Sequence, residues 1–169
     1  YVLFRSVLHY FNSILFRNFF DMIFSSFHLE SCVKETIGTK ATIADTRKTL
    51  PGLRPLQKYA VVMGGGKNHR YNLTDAAMLK DNHVDAGGGI ANAVKALKKR
   101  LGHMTKIELE VRNLDELEQA LEAEVDVIML DNMSPELMKK AVEITNGRAL
   151  LEASGGITDE TLREIAETG

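Results

Sequence analysis

Five cations fall at short intervals on segments that read as loops: Arg47, Lys48, His69, Arg70 and Lys80. An arginine grips a carboxylate or phosphate with a planar two-pronged fork, and a lysine adds a compact charge. A cluster of this kind suits a small polyanionic ligand. Taken singly, each is as well explained as a solvated loop residue or a salt-bridge partner; five around two glycine-containing loops favour binding. Two acids, Glu110 and Asp131, close strand-like runs. Their hard oxygens suit Mg²⁺, which commonly bridges protein carboxylates and substrate phosphates; they read equally as structural acids capping neighbouring helices. Ser154-Gly155-Gly156 precedes a helix expected near Thr158. Small residues there let backbone N–H groups reach a phosphate at a helix start, although a tight strand-to-helix turn explains the same residues.

Other segments carry less. Gly64-Gly65-Gly66-Lys67 is not a Walker A motif, because neither the glycine spacing nor the residue after Lys67 fits. No nucleophile stands out, and His28 and Cys32 read as structural residues. Glu152 faces either a barrel interior or the core, with no role assigned.

Charge is segregated along the chain. The formal net charge is -2. From Lys40 to Lys80 there are eight Lys or Arg against two Asp; from Asp81 to Gly169 there are ten against eighteen acids. The cationic stretch suits an anionic ligand. The acidic one supplies carboxylates, most of them expected on solvated helix faces. Net charge argues neither for nor against nucleic acid.

The elements that must position these residues follow a period. Lys106–Val111, Val125–Leu130 and Arg148–Glu152 read as strands. Leu114–Ala123, Pro135–Ile144 and Asp159–Glu167 read as helices, capped by Asn113, Ser134 and Thr158, with Pro135 at a first helical position. Glu110, Asp131 and Glu152 recur every 21 residues. Upstream, Ala41–Ala44 and Ala76–Leu79 read as short strands, Leu56–Val62 as an apolar run, and Ile90–Leu101 as a helix. Repeated strand–helix units mean parallel strands joined by crossovers. The spacing suits a compact (β/α) barrel, with an open doubly wound sheet as the alternative. In both, ligands sit at the carboxyl ends of the strands, where the residues above fall.

Residues 1–33 differ. All seven phenylalanines lie within the first 27 residues, and the aromatics beyond that point are Tyr59 and Tyr71. The domain reading is therefore an atypical Phe-rich segment over 1–33 and a domain of strand–helix units over 34–169. Arg5, Arg17 and Asp21 interrupt the apolar pattern, which argues against a membrane helix, and no clear signal peptide is present. One cysteine, Cys32, rules out a disulfide within the chain and favours a cytoplasmic setting.

The string Asp45-Thr46-Arg47-Lys48-Thr49-Leu50-Pro51-Gly52-Leu53-Arg54 resembles the signature of quinolinate phosphoribosyltransferases. The match continues through Lys58-Tyr59-Ala60-Val61, Gly64-Gly65-Gly66, His69-Arg70 and Leu79-Lys80-Asp81-Asn82-His83. It goes on in Ile107 to Val111, Leu130-Asp131-Asn132 and Glu152 to Ile157. The resemblance covers about 130 residues in order. It implies a partial (β/α) barrel that condenses quinolinate with phosphoribosyl pyrophosphate and loses CO₂, giving nicotinate mononucleotide on the route to NAD. It further implies that Arg47, Lys48, His69, Arg70 and Lys80 hold the quinolinate carboxylates, some also reaching phosphate. Glu110 and Asp131 would meet ribose hydroxyls and Mg²⁺, and Ser154, Gly155 and Gly156 the 5′-phosphate. Lys48, Glu110 and Asp131 are the expected catalytic residues, and a homodimer or higher homo-oligomer is the expected assembly.

The chain departs from that pattern. The family's N-terminal α/β sandwich domain, the arginine-bearing segment before the barrel and the last barrel strands have no counterpart in the sequence. An unclosed barrel with exposed strand edges, poor solubility and little activity of the chain alone are the expectations; the composition of 1–33 suggests a misread frame. Within the fold, the alternative is a molybdenum-transport-associated relative, against which Lys80 argues. Nicotinate phosphoribosyltransferase, whose substrate has one carboxylate, is a more distant one. A non-catalytic remnant that binds phosphate or a partner is the alternative of another class.

Overall fold

The computed structural model describes the backbone of Val2–Phe4 and residues 32–169. The remainder of the Phe-rich segment, His28 included, lies outside the described residues. The strands are β1 (Val2–Phe4), β2 (Thr42–Ile43), β3 (Ala77–Leu79), β4 (Ile107–Val111), β5 (Val127–Asp131) and β6 (Leu150–Ser154). The helices are α1 (Arg54–Met63), α2 (Asp81–Ala86), α3 (Ile90–Lys98), α4 (Leu114–Glu122), α5 (Pro135–Thr145) and α6 (Asp159–Ala166).

A single alternation explains the sheet. In β4 the sequence is Ile-Glu-Leu-Glu-Val, and Ile107, Leu109 and Val111 join the hydrophobic core while Glu108 and Glu110 take the other face. Ile128 and Leu130 of β5, and Leu151 and Ala153 of β6, repeat the pattern, leaving Met129, Asp131, Glu152 and Ser154 opposite. The helices cover the apolar face with stripes at helical spacing: Leu117, Ala120 and Leu121 from α4, Met138 and Ala141 from α5, Leu162, Ile165 and Ala166 from α6. Full burial of one such leucine stabilises by roughly 1.5–3 kcal/mol. Leu109, fully buried, is the change most able to break this layer: truncation to alanine removes about 2–5 kcal/mol.

All pairings are parallel, in the order β2-β1-β6-β5-β4-β3. From β3 to β6 each strand adds beside its predecessor, without the reversal that defines a doubly wound sheet. This is the winding of a (β/α) barrel, as expected. Val2–Phe4 pairs with β6, Leu3 beside Glu152, and joins it to β2. Among the described residues the sheet stays open between β2 and β3, as expected of an unclosed barrel, and an isolated bridge joins Ala44 to Lys67 on the β2 side.

The caps match the sequence reading. Asn113 accepts from the Glu116 N–H at 2.9 Å, and Ser134 from the Leu137 N–H at 3.4 Å. The Thr158 N–H donates to Thr161 Oγ1 at 2.9 Å. These caps fix where each helix leaves its strand, and so fix the strand-end loops. Among the described residues, no helix is long and apolar enough to cross a membrane.

Candidate active site

The face opposite the helices carries the polar side chains of β4–β6. Strand register sets them in tiers: Glu110 lies beside Met129, and Met129 beside Glu152, while Asp131 lies beside Ser154 one step further toward the carboxyl end. Lys80, one residue past β3, reaches across to β4, its Nζ 2.7 Å from Glu110 Oε2. That lysine side chain is 48% exposed and the glutamate 12%. The pair therefore sits at an open mouth, where a ligand can compete for either partner.

The Gly64–Arg70 loop delivers two of the expected cations. It is zipped to the end of β2: the Lys67 N–H donates to Ile43 O at 2.8 Å, and the Asp45 N–H to Lys67 O at 3.0 Å. Gly66 is required there, since a Cβ would meet Val61 at 2.9 Å and the Ile43 carbonyl at 3.2 Å. Beneath the loop lies a buried ion pair. Lys58 Nζ stands 2.6 Å from Asp45 Oδ1, each side chain 3% exposed. Lys58 also donates to His69 O at 3.0 Å, and the His69 N–H donates to Asp45 Oδ1 at 2.8 Å. The Asn68 amide, oriented to satisfy its neighbours, donates to Asp45 Oδ2 at 2.7 Å and to Lys58 O at 3.0 Å. Burial pushes the Asp45 carboxyl up from its ordinary value, and Lys58 pulls against it.

His69 then enters the barrel interior. Its Nε2 lies 3.1 Å from Glu108 Oε2 and 3.3 Å from Glu152 Oε2, both carboxylates almost fully buried. Burial alone would lower the imidazole pKa, but the two carboxylates outweigh it and push it up to about 9. His69 is thus cationic at neutral pH. Its Nδ1 is enclosed and has no hydrogen-bond partner. Arg70 runs along β3, donating to Ala76 O at 3.0 Å and approaching Met78 Sδ at 3.2 Å.

The Arg47–Thr49 loop is held from α1. Arg54 donates to Arg47 O at 3.1 Å, to Thr49 Oγ1 at 3.1 Å and to Tyr71 O at 3.4 Å, tying the loop after β2 to the loop that follows His69 and Arg70. Lys48 is exposed, and Arg47 is half-buried with its Nε enclosed and unpartnered. At the far corner, the Asn132 N–H donates to Ser154 O at 2.7 Å and its Nδ2 to Asp131 Oδ2 at 2.9 Å. Asn132 adopts a left-handed conformation, φ 52°. Gly155 makes room for it: a Cβ would fall 2.2 Å from Asn132 Oδ1, and its φ of +87° disfavours any side chain.

The fit to a divalent cation rests on Glu110 and Asp131, two half-buried carboxylates at adjacent strand ends. Mg²⁺ keeps several waters and takes one or two protein carboxylates with substrate phosphate, and this donor set suits it. A different trio, His69, Glu108 and Glu152, offers ligand atoms within 4.8 Å of one another. Its 3.1 and 3.3 Å separations are those of a charged histidine between carboxylates.

Arg47, Lys48, Lys80, Glu110, Asp131 and Ser154–Gly156 lie at the carboxyl ends of strands or on the loops that follow them, whereas His69 and Arg70 lie on the loop between α1 and β3, bonded beside the end of β2. The sequence reading assigned no role to Asp45, Arg54, Lys58, Glu108, Asn132 or Glu152. A period-two count would have placed Glu108 and Glu152 on the same inner face as Glu110. Lys58, three residues before buried Val61, was legible as a lysine on the inward stripe of α1.

Comparison with known proteins bears on this geometry. A sequence model of the family described as quinolinate phosphoribosyl transferase, C-terminal domain, matches residues 26–169. A probable nicotinate-nucleotide pyrophosphorylase (carboxylating) of Bacillus subtilis is 48% identical over 127 residues, covering 75% of this chain and 44% of the relative. The chloroplastic nicotinate-nucleotide pyrophosphorylase (carboxylating) of Arabidopsis thaliana is 44% identical over 147 residues, covering 76% and 42%. The solved structure of the nicotinate-nucleotide pyrophosphorylase from Francisella tularensis superposes with a TM-score of 0.82 at 46% identity, covering 86% of this chain and 51% of that one. The chain spans about half the length of the relatives it matches.

Proposed function

The chain belongs to the quinolinate phosphoribosyltransferase family, and from that premise we propose that it forms the catalytic barrel for transfer of a phosphoribosyl group to quinolinate with loss of CO₂. The observation that carries this reading is the convergence of His69, Arg70 and Lys80 on the polar inner face and mouth of β3–β6. A pyridine with two adjacent carboxylates needs several cations in a small volume, and bidentate and point charges together meet that need.

In this reading Arg47, Lys48, His69, Arg70 and Lys80 bind the two carboxylates and orient the ring nitrogen. The nitrogen lone pair forms a bond to the anomeric carbon of phosphoribosyl pyrophosphate, and the bond from that carbon to pyrophosphate oxygen breaks. Positive charge develops on the ribose, and Glu110 and Asp131 at the strand ends stabilise it and accept from the ribose hydroxyls. The same two carboxylates would hold Mg²⁺, which when bound neutralises the departing pyrophosphate. Ser154, Gly155 and Gly156, with the start of α6, would receive the 5′-phosphate. The ring nitrogen, now cationic, withdraws the electron pair left at C2 as the carboxylate departs, and a proton replaces it there. Lys80 is engaged with Glu110 before substrate arrives, and exchange of that partner for a carboxylate of quinolinate couples the two halves of the site. The reading extends to a cytoplasmic enzyme that assembles as a homodimer or higher homo-oligomer.

The test is formation of nicotinate mononucleotide and CO₂ from quinolinate and phosphoribosyl pyrophosphate with Mg²⁺, by this chain and by a polypeptide extending it to the length of its relatives. Turnover by the extended form supports the assignment. A folded extended form that leaves quinolinate untouched contradicts it and brings the molybdenum-associated relative forward.

A further inference from the structure

Two buried carboxylates sit inside a site otherwise built to collect anions, and a buried ion pair lies beneath it. Both features cost solvation free energy, and both converge on one residue. We propose that Asp45, Lys58, Glu108 and Glu152 are positioning residues for His69, the first two fixing its backbone and the last two fixing its ring from inside the barrel. The proposal rests on the reading of this pocket as the quinolinate site.

The backbone clamp is complete on both sides of the peptide. Asp45 accepts from the His69 N–H at 2.8 Å while Lys58 donates to the His69 carbonyl at 3.0 Å, and the two side chains meet at 2.6 Å. Three bonds at one residue fix its backbone, and with it the direction in which the ring leaves the loop. The ring is then held at Nε2 by carboxylates from two strands, Glu108 of β4 and Glu152 of β6. These strands are separated by β5, so the pair brackets the ring rather than following it. Two negative groups facing a dianionic substrate would repel it. Turned onto His69, they keep the ring cationic and leave the enclosed Nδ1 as its one nitrogen without a partner. A purely structural role for the four residues predicts none of this dependence on charge.

The experiment uses the extended enzyme and follows the His69 ring signals by NMR as pH is raised, with assignment from H69Q, alongside steady-state kinetics. The expected midpoint of the wild-type ring is about pH 9. The double variant E108Q/E152Q lowers the midpoint toward the ordinary value of about 6.5. It also raises KM for quinolinate on the order of a hundredfold, as expected for a misplaced group, with KM for phosphoribosyl pyrophosphate little changed. K58M has the same effect on KM, and K58R recovers part of the loss. Should K58M fail to fold, E152Q and D45N are judged by the same two readouts. A wild-type ring that titrates near 6.5, or variants that lose thermal stability while midpoint and KM stay put, overturns the proposal. So does displacement of the ring signals at neutral pH by Mg²⁺ or Mn²⁺ alone, which would make the trio a cation site. If quinolinate is not the substrate, wild-type turnover is absent while the titration still decides the positioning claim.

Discussion

Two ion pairs of the same chemistry, Asp45–Lys58 and Lys80–Glu110, behave as different devices because of where they lie. The first is sealed under the Gly64–Arg70 loop, 3% exposed on each side, and each partner has further hydrogen bonds to the backbone or side chains around it. The second stands at the barrel mouth with nearly half of the lysine in solvent. A buried pair is expensive to break and slow to rearrange; a half-exposed pair contributes little to stability, about 0–1 kcal/mol, and is free to exchange partners. The comparison separates groups that hold the site from groups that handle the ligand. His69 stands between, buried like the first and charged like the second.

Substitution should sharpen that contrast. The largest effect belongs to Lys58→Met, which strands a buried Asp45 carboxylate and should cost about 3–5 kcal/mol in denaturant unfolding. Next comes pH. The folded pKa of His69, about 9, lies above its ordinary 6.5. Its stabilisation is therefore fully present below about pH 6.5 and lost as pH rises through 9, amounting to at most roughly 3 kcal/mol. Thermal scans from pH 6 to 10 should show that decline, and H69Q should remove it. Gly155→Ala forces a side chain onto Asn132 and strains a left-handed backbone, for about 1–3 kcal/mol and weaker binding of a 5′-phosphate in direct titration. The smallest change in stability belongs to Lys80→Met, within about 1 kcal/mol, although turnover should fall at least a hundredfold. A large unfolding shift in Lys80→Met with unaltered turnover would erase the distinction.

Much of this was legible in the sequence, and the reasons are physical. β4–β6 and their helices obey simple periods, so Ile107, Leu109 and Val111 announce one face and Glu108 and Glu110 the other. Asn113, Ser134 and Pro135 mark helix starts by local chemistry alone. Arg47, Lys48 and Lys80 were visible as residue types on strand-end loops, and His69 and Arg70 as a pair on a glycine loop. The Asp45–Lys58–His69 clamp was not, because it joins β2, α1 and a glycine loop through backbone groups that carry no sequence signal. Nor was the placement of Val2–Phe4 beside Glu152 and Ala153: three apolar residues suit any parallel edge, and only the ladder shows which one they occupy. Asn132 gave no hint either, since its left-handed turn depends on Gly155 across the strand gap.

On the proposed reading, the open Lys80 end of this inner face handles quinolinate while the buried Asp45–Lys58 pair holds the loop that carries His69. The most direct measurement is release of labelled CO₂ from quinolinate carrying label in its C2 carboxylate, by the extended enzyme and its Lys80→Met form, at matched folding. The expected release depends on phosphoribosyl pyrophosphate, equals the nucleotide formed, and falls at least about a hundredfold in the variant. Release that is undiminished in Lys80→Met, or absent from the folded wild type, would contradict it.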